Sequence, residues 1–253
     1  MQEIDFLDLL VPELTTHGYS WEIKKKSPTG HGLAIIYKNN KLLKKEYRAI
    51  NYDEINSFNS SFVLQETGNV AQMISFEIIN TNRTIIVSNT HLYWRPEASA
   101  VKIKQACTLM GCLFDFKGDS DVPMLLCGDW NVMPQDILYR ILTRKESVSE
   151  YELEHVFENV CDHGSVDQKA ACEKVLEFYP QIPNLQSSYK VFYGEEPPYT
   201  TTSKDFTGVL DYIFFNGRMQ VKNVEQIRDI GDIPNAQFPS DHVPVVATFS
   251  INE

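Results

Sequence analysis

Asp241 and His242, in "FPSDHVP", stand directly before an apolar run of a strand's length, Val243 to Phe249. An acid beside a histidine at the mouth of a rigid strand is well placed for chemistry. Taken alone, the fragment reads first as a turn made by Ser240 and Asp241 with the histidine packed beneath it. Three more segments set polar residues at the edge of an apolar strand: "SNTHLYW" with His91, "LLCGDWN" with Asp129 and Asn131, and "GVLDYIFF" with Asp211. A fifth, "MQEID", opens the chain with Glu3.

Gly128 permits a sharp turn after a buried strand, presenting Asp129 and Asn131 on the same side. An acid and an amide so spaced can face one phosphate. Asp129 would take a proton from water or hold a metal, and Asn131 would donate to a phosphoryl oxygen; the plainer alternative is an Asx turn. Asp211 lies within an apolar run, where an unpaired charge costs several kcal/mol, so it needs a partner. An imidazole N–H is a natural one: Asp211 would fix the tautomer of His242 and favour its protonated form. A bond to backbone is the alternative. Carboxylates that converge also repel, by ~4 kcal/mol for two charges about 4 Å apart at an effective dielectric of about 20. They then take up protons or bind a cation. Oxygen-rich ligation by Glu3, Asp129, Asn131 and Asp241 suits magnesium or manganese rather than zinc.

Elements that would position these groups are legible as periodicity. Strands are predicted at 33–37, 73–79, 84–89, 124–127, 209–215 and 243–249. Between 97 and 116, Ala106, Leu109, Met110 and Leu113 recur at helical spacing and form one buried stripe. A helix after Pro134 turns Ile137, Leu138, Ile141 and Leu142 inward. Ser149 with Glu152 predicts a capped helix through Phe157, and a further helix is predicted over 167–179. The Pro-, Gly- and Thr-rich stretch 193–208 reads as a surface loop. Strands interleaved with helices at these spacings give a layered α/β architecture.

The 253 residues, 43% hydrophobic, suit one globular domain. No stretch approaches the ~18 apolar residues of a membrane span, and the first residues are acidic where a leader would be basic. A formal charge of -11 argues against coating nucleic acid by charge alone. The clusters Lys24 to Lys26 and Lys44 to Lys45 read as solvated faces, and the five cysteines as reduced core residues.

In order along the chain, "MQEID", "NTHLYWRP", "CGDWN", "DFTGVLDYIFF" and "PSDH" resemble five motifs of the endonuclease/exonuclease/phosphatase superfamily, in its carbon-catabolite-repressor-type deadenylase and 2′,5′-phosphodiesterase branch. The resemblance covers nearly the whole sequence. It implies a four-layer sandwich, two packed β-sheets flanked by helices, with the site at one end of the sheets. By position, Glu3 would hold a catalytic magnesium, or manganese in its place, and Asp241 would help bind metal or water. Asp129 would orient or deprotonate the attacking water, and Asn131 would bind the scissile phosphate. His242, steadied by Asp211, would stabilise developing charge, with His91 as a further contact. Pro96 and Phe206 match positions that flank an adenine base, where stacking is worth roughly 1–3 kcal/mol; the alternatives are a helix-starting proline and a loop anchor.

The family usually opens with one more strand, so the first sheet is expected to be a strand short and the single catalytic domain, 1–253, incomplete at its N-terminus. Thr201, Thr202 and Arg95 also depart from the residues usual in relatives. The expected activity is magnesium-dependent 3′-to-5′ hydrolysis of poly(A) ends or 2′,5′-oligoadenylate. The expected partner is therefore an RNA 3′ end or an oligoadenylate, without a membrane. A catalytically impaired RNA-binding module, or another phosphodiesterase or phosphatase of the superfamily, is the alternative. A cytoplasmic location is expected, or a mitochondrial one should a leader precede Met1.

Overall fold

The computed structural model describes residues 6–26, 30–55, 62–64, 66–118, 121–144, 147–158, 164–228, 230–231 and 233–251. After a short helix α1 (Val11–Thr16), strands β1 (Tyr19–Lys25), β2 (Gly32–Lys38), β3 (Leu42–Asn51), β4 (Phe62–Leu64), β5 (Val70–Ile78) and β6 (Arg83–His91) precede the long helix α2 (Ser99–Lys117). Then come β7 (Met124–Asp129), α3 (Ile137–Thr143), α4 (Glu150–Glu158), β8 (Gly164–Val166), α5 (Gln168–Phe178), β9 (Gln186–Ser187) and α6 (Ser188–Tyr193). The last third holds β10 (Thr201–Thr202), β11 (Thr207–Gly208), β12 (Asp211–Phe215), β13 (Met219–Val224) and β14 (Ala247–Ile251).

A six-stranded mixed sheet in the order β3-β5-β6-β7-β12-β9 forms the centre. Its one parallel pair, β6 with β7, is joined through α2, because two parallel neighbours need a crossover rather than a hairpin. Alternation along each strand feeds two cores. Met73, Ile86, Met124, Leu126, Tyr212 and Phe214 face the helices, while Ile74, Phe76, Ile85, Leu125 and Phe215 face a second layer. A sheet covered on both faces needs apolar residues at both parities, which is why these strands read as continuous apolar runs. The second layer is two antiparallel ribbons, β1–β2 and β13–β14, which share no ladder among the described residues.

The architecture is thus the expected α/β sandwich, with elements close to their predicted places. Ser149 and Glu152 cap α4 reciprocally, the hydroxyl receiving the Glu152 N–H at 3.3 Å and the carboxylate receiving the Ser149 N–H at 2.9 Å. The strand predicted at 243–249 begins only at Ala247. Pro244 lacks an N–H for a ladder, and His242 makes instead an isolated bridge to Thr201.

Candidate active site

Register brings the polar strand ends together. His91 at the end of β6 pairs with Asp129 at the end of β7, and Asp129 pairs with Asp211 at the start of β12. Paired residues on adjacent strands point to the same face, so the three side chains form one row at one rim of the sheet. Close approach of β6 and β7 at this rim depends on Gly128: its φ is +137°, and a Cβ there would lie 2.0 Å from the Thr90 carbonyl oxygen. Gly128→Ala is therefore expected to destabilise the fold by more than ~3 kcal/mol. Thermal melting of the purified variant checks this, and a wild-type melt would refute it.

His242 enters the row from the segment before β14. Its Nδ1 donates to Asp211 Oδ2 at 2.7 Å, and its Nε2 lies 3.9 Å from Asp129 Oδ2. His91 Nε2 approaches the same Asp129 oxygen at 3.5 Å. Asp211 Oδ2 also accepts from the fully buried Thr200 hydroxyl at 2.8 Å, and that hydroxyl receives the N–H groups of Leu210 and Asp211 at 2.9 and 3.0 Å. One donor and two acceptor positions of Thr200 are thereby all used, fixing the carboxylate that holds His242.

The electrostatics of the row follow from burial and neighbours. Asp129 is pushed up to about 7, first by burial, then by the negative charge of Asp211. The hydrogen bond to Asp211 raises His242 to about 9, more than burial lowers it. His91, still partly open to solvent, is held below its usual range by desolvation and by the nearby charges of Lys26 and His242. At neutral pH the site thus holds a carboxyl close to half ionised beside a protonated imidazole.

Asn131 sits at φ +50°, a left-handed conformation that asparagine tolerates better than most residues. Its N–H donates to Asp129 Oδ1 at 2.9 Å, and its Nδ2 donates to the Leu92 carbonyl at 3.0 Å, leaving a second amide N–H for another acceptor. Asp241 is exposed. Its carbonyl receives the Thr202 N–H and the Thr201 hydroxyl, each at 2.9 Å, and its charge helps raise both Asp129 and His242. Phe206, on the turn between β10 and β11, presents an exposed ring and is tethered to the His242 segment through those same threonine bonds. Pro96 lies exposed at the surface ahead of α2. Glu3 falls outside the described residues.

One oxygen each from Asp129 and Asp211 and a nitrogen of His242 lie within 4.8 Å of one another, the cluster among the described residues able to hold a metal. Asp129 supplies the less engaged oxygen, because Asp211 Oδ2 accepts from both His242 and Thr200, whereas the hydrogen bond to Asp129 from Asn131 falls on Oδ1.

Several contributors carry no motif signal. Asn69, fully buried, donates to the His91 carbonyl at 2.6 Å; before an apolar strand an asparagine reads merely as a turn residue. Lys26, read as part of a solvated face, lies close enough to depress His91. Lys44 and Lys45 do pair on the surface, with Glu22 and Glu77. Thr200 sits inside a threonine-rich loop that gives no hint of its bonds.

The model of the Endonuclease/Exonuclease/phosphatase family matches residues 1–242. The chain belongs to that family. Carbon catabolite repressor protein 4 homolog 4 of Arabidopsis thaliana is 33% identical over 181 residues, which are 66% of this chain and 38% of that protein. The CCR4-Not complex 3′-5′-exoribonuclease subunit Ccr4 of Kluyveromyces lactis is 25% identical over 290 residues, covering 100% of this chain and 35% of the relative. The chain therefore spans little more than a third of these relatives' length. Among solved structures, ANGEL2, described as a 2′,3′-cyclic phosphatase in complex with adenosine-2′,3′-vanadate, superposes with a TM-score of 0.76 at 18% identity, covering 100% of this chain and 80% of that one. At that identity the likeness speaks for the fold of this Endonuclease/Exonuclease/phosphatase family member alone. No helix of the described residues is long and apolar enough to cross a membrane.

Proposed function

We propose that residues 1–253 form a single catalytic domain of a magnesium-dependent 3′-to-5′ exoribonuclease that hydrolyses phosphodiesters at poly(A) ends or in 2′,5′-oligoadenylate. The observation that carries this reading is the row itself: Asp129 lies 3.9 Å from an imidazolium that Asp211 holds. A base and a cationic hydrogen-bond donor side by side suit in-line attack on a phosphodiester, whose charge repels hydroxide.

The donor chemistry fits a hard divalent ion. Burial has left Asp129 short of positive charge, and oxygen ligands from Asp129, with Asp241 and, by its motif, Glu3, are those magnesium prefers. Magnesium bound there supplies several kcal/mol of charge stabilisation at the phosphoryl group. Asp129 orients the attacking water and accepts its proton, as the bond from phosphorus to the preceding ribose oxygen breaks and that oxygen leaves with a proton from solvent. His242 donates from Nε2 to a phosphoryl oxygen as charge builds, while Asp211 fixes its tautomer through Nδ1. The free N–H of Asn131 binds a non-bridging oxygen, and His91 adds a contact from the other side. Phe206 and Pro96 take the terminal base between them. Support for an adenylate substrate comes from the exposed ring of Phe206 and from the exoribonuclease among the relatives.

The test incubates the pure protein with A-tailed RNA and with 2′,5′-oligoadenylate, with magnesium and then with chelator. Stepwise shortening with release of AMP, abolished by chelator, is the expected result. Intact substrate in every tube refutes it. Adenylate binding without turnover favours a binding module, and cleavage of an abasic duplex or an inositol phosphate, with RNA untouched, favours another branch of the family.

A further inference from the structure

Lys102 lies in the first turns of α2 and is only 2% exposed. A buried ammonium is costly unless its hydrogen bonds are made, and among the described residues no carboxylate lies within ion-pair distance of it. Its partners are two backbone carbonyls: Nζ donates to Asn131 O at 2.9 Å and to Pro96 O at 3.2 Å. Burial lowers its pKa, and the charges of Asp136, Glu97 and Asp129 oppose that. A lysine core position is thus retained at a cost that an apolar residue of the same length would avoid. The two carbonyls belong to different loops. One carries Asn131, whose left-handed backbone aims that carbonyl at α2 and its side chain at Leu92. The other carries Pro96.

We propose that Lys102 is a positioning residue whose ammonium ties the phosphate-binding loop at Asn131 to the base-flanking loop at Pro96, fixing the distance between the two recognition points. This rests on the roles given above to Asn131 and Pro96. Lys102 itself does not reach the substrate. A clamp of this kind makes the phosphate position depend on the base, because a shift of either loop moves the other. Errors of about 1 Å in such placement cost up to about 100-fold in rate.

The test compares wild type, Lys102→Met, which keeps the stem and removes the donors, and Lys102→Arg, which restores donors. Hydrogen exchange read by mass spectrometry needs no activity. In Lys102→Met the segments Leu92 to Ala98 and Asp129 to Asp136 are expected to exchange at least ~10-fold faster together, with the β3–β5 ladder unchanged, and Lys102→Arg to recover protection in both. Kinetically, kcat/KM on A-tailed RNA is expected to fall about 10- to 100-fold. The fall should be at least ~5-fold smaller on bis(p-nitrophenyl) phosphate, which offers no base to Pro96. Wild-type exchange in either loop, or equal losses on the two substrates, overturns the proposal. If the wild type hydrolyses neither substrate, the functional reading fails while the exchange data still decide the clamp. Should Lys102→Met not fold, Lys102→Gln, whose uncharged amide sits on a stem too short to bridge both carbonyls, carries both measurements.

Discussion

Asp129→Asn is expected to lower kcat/KM on A-tailed RNA by at least ~10³-fold while raising the melting temperature of the metal-free protein at pH 8. The two effects have one cause. Asp129 is raised from 3.8 to about 7 by burial and by Asp211, so between those pH values the folded chain holds a proton that the unfolded chain has released. Stability therefore falls as pH climbs through about 7, which is the reverse of the usual carboxylate. The shift corresponds to at most ~4 kcal/mol, and relaxation of the site reduces that figure. Asparagine removes the charge, and its Oδ1 still accepts the Asn131 N–H that Asp129 receives at 2.9 Å. With about half of the ~4 kcal/mol left after relaxation, a gain of about 4–8 °C follows, at about 2–4 °C per kcal/mol for a chain of this size. Magnesium should raise the Tm at pH 8 more for the wild type than for Asp129→Asn, because one of the carboxylates proposed to hold the ion is gone. Activity within tenfold of wild type would remove Asp129 from the reaction centre. A lower Tm at pH 8 would show that the carboxylate is satisfied in the metal-free fold.

How far the sequence discloses this arrangement depends on the kind of signal each residue leaves. Apolar runs such as "MISFEII" and "TIIVSN" announce strands because both faces of the central sheet are covered. β1 and β3 escape the same reading. Their Lys- and Glu-rich stretches belong to a ribbon and to the open edge of the sheet, where most side chains are only partly covered or exposed. Asp211 is conspicuous because a charge inside "VLDYIFF" demands a partner, and the structure gives it two, His242 and Thr200. Thr200, Asn69 and Lys102 are silent for the opposite reason. Each works through backbone carbonyls, N–H groups or another side chain's geometry, none of which leaves a periodic or compositional trace. Register has the same character: that His91, Asp129 and Asp211 stand abreast follows from the ladder, whereas the motifs give only their order along the chain.

Asp211→Asn should move the alkaline limb of the pH–rate profile toward acid. Activity on this reading needs His242 protonated, so the wild-type rate falls as pH rises through about 9. Asp129 stays ionised across this range with magnesium bound, so the limb belongs to His242. Neutralising Asp211 removes both the bond and the charge that raise His242. With His242 at about 9, about nine-tenths of it is protonated at pH 8; returned to its ordinary 6.5, about 3% is, a loss of roughly 30-fold at that pH. At pH 6 the loss should be under about threefold, because the imidazole is then largely protonated in both proteins. Stability offers a second readout that needs no substrate. His242, raised in the folded state, contributes stability that is fully present below its unfolded value of 6.5 and is lost as pH rises through about 9. The fall in Tm over that window should shrink in Asp211→Asn. A uniform drop in rate at every pH, with the alkaline limb left in place, would mean that Asp211 acts on the fold around Thr200 rather than on the charge of His242, and the imidazolium would lose its place in the mechanism.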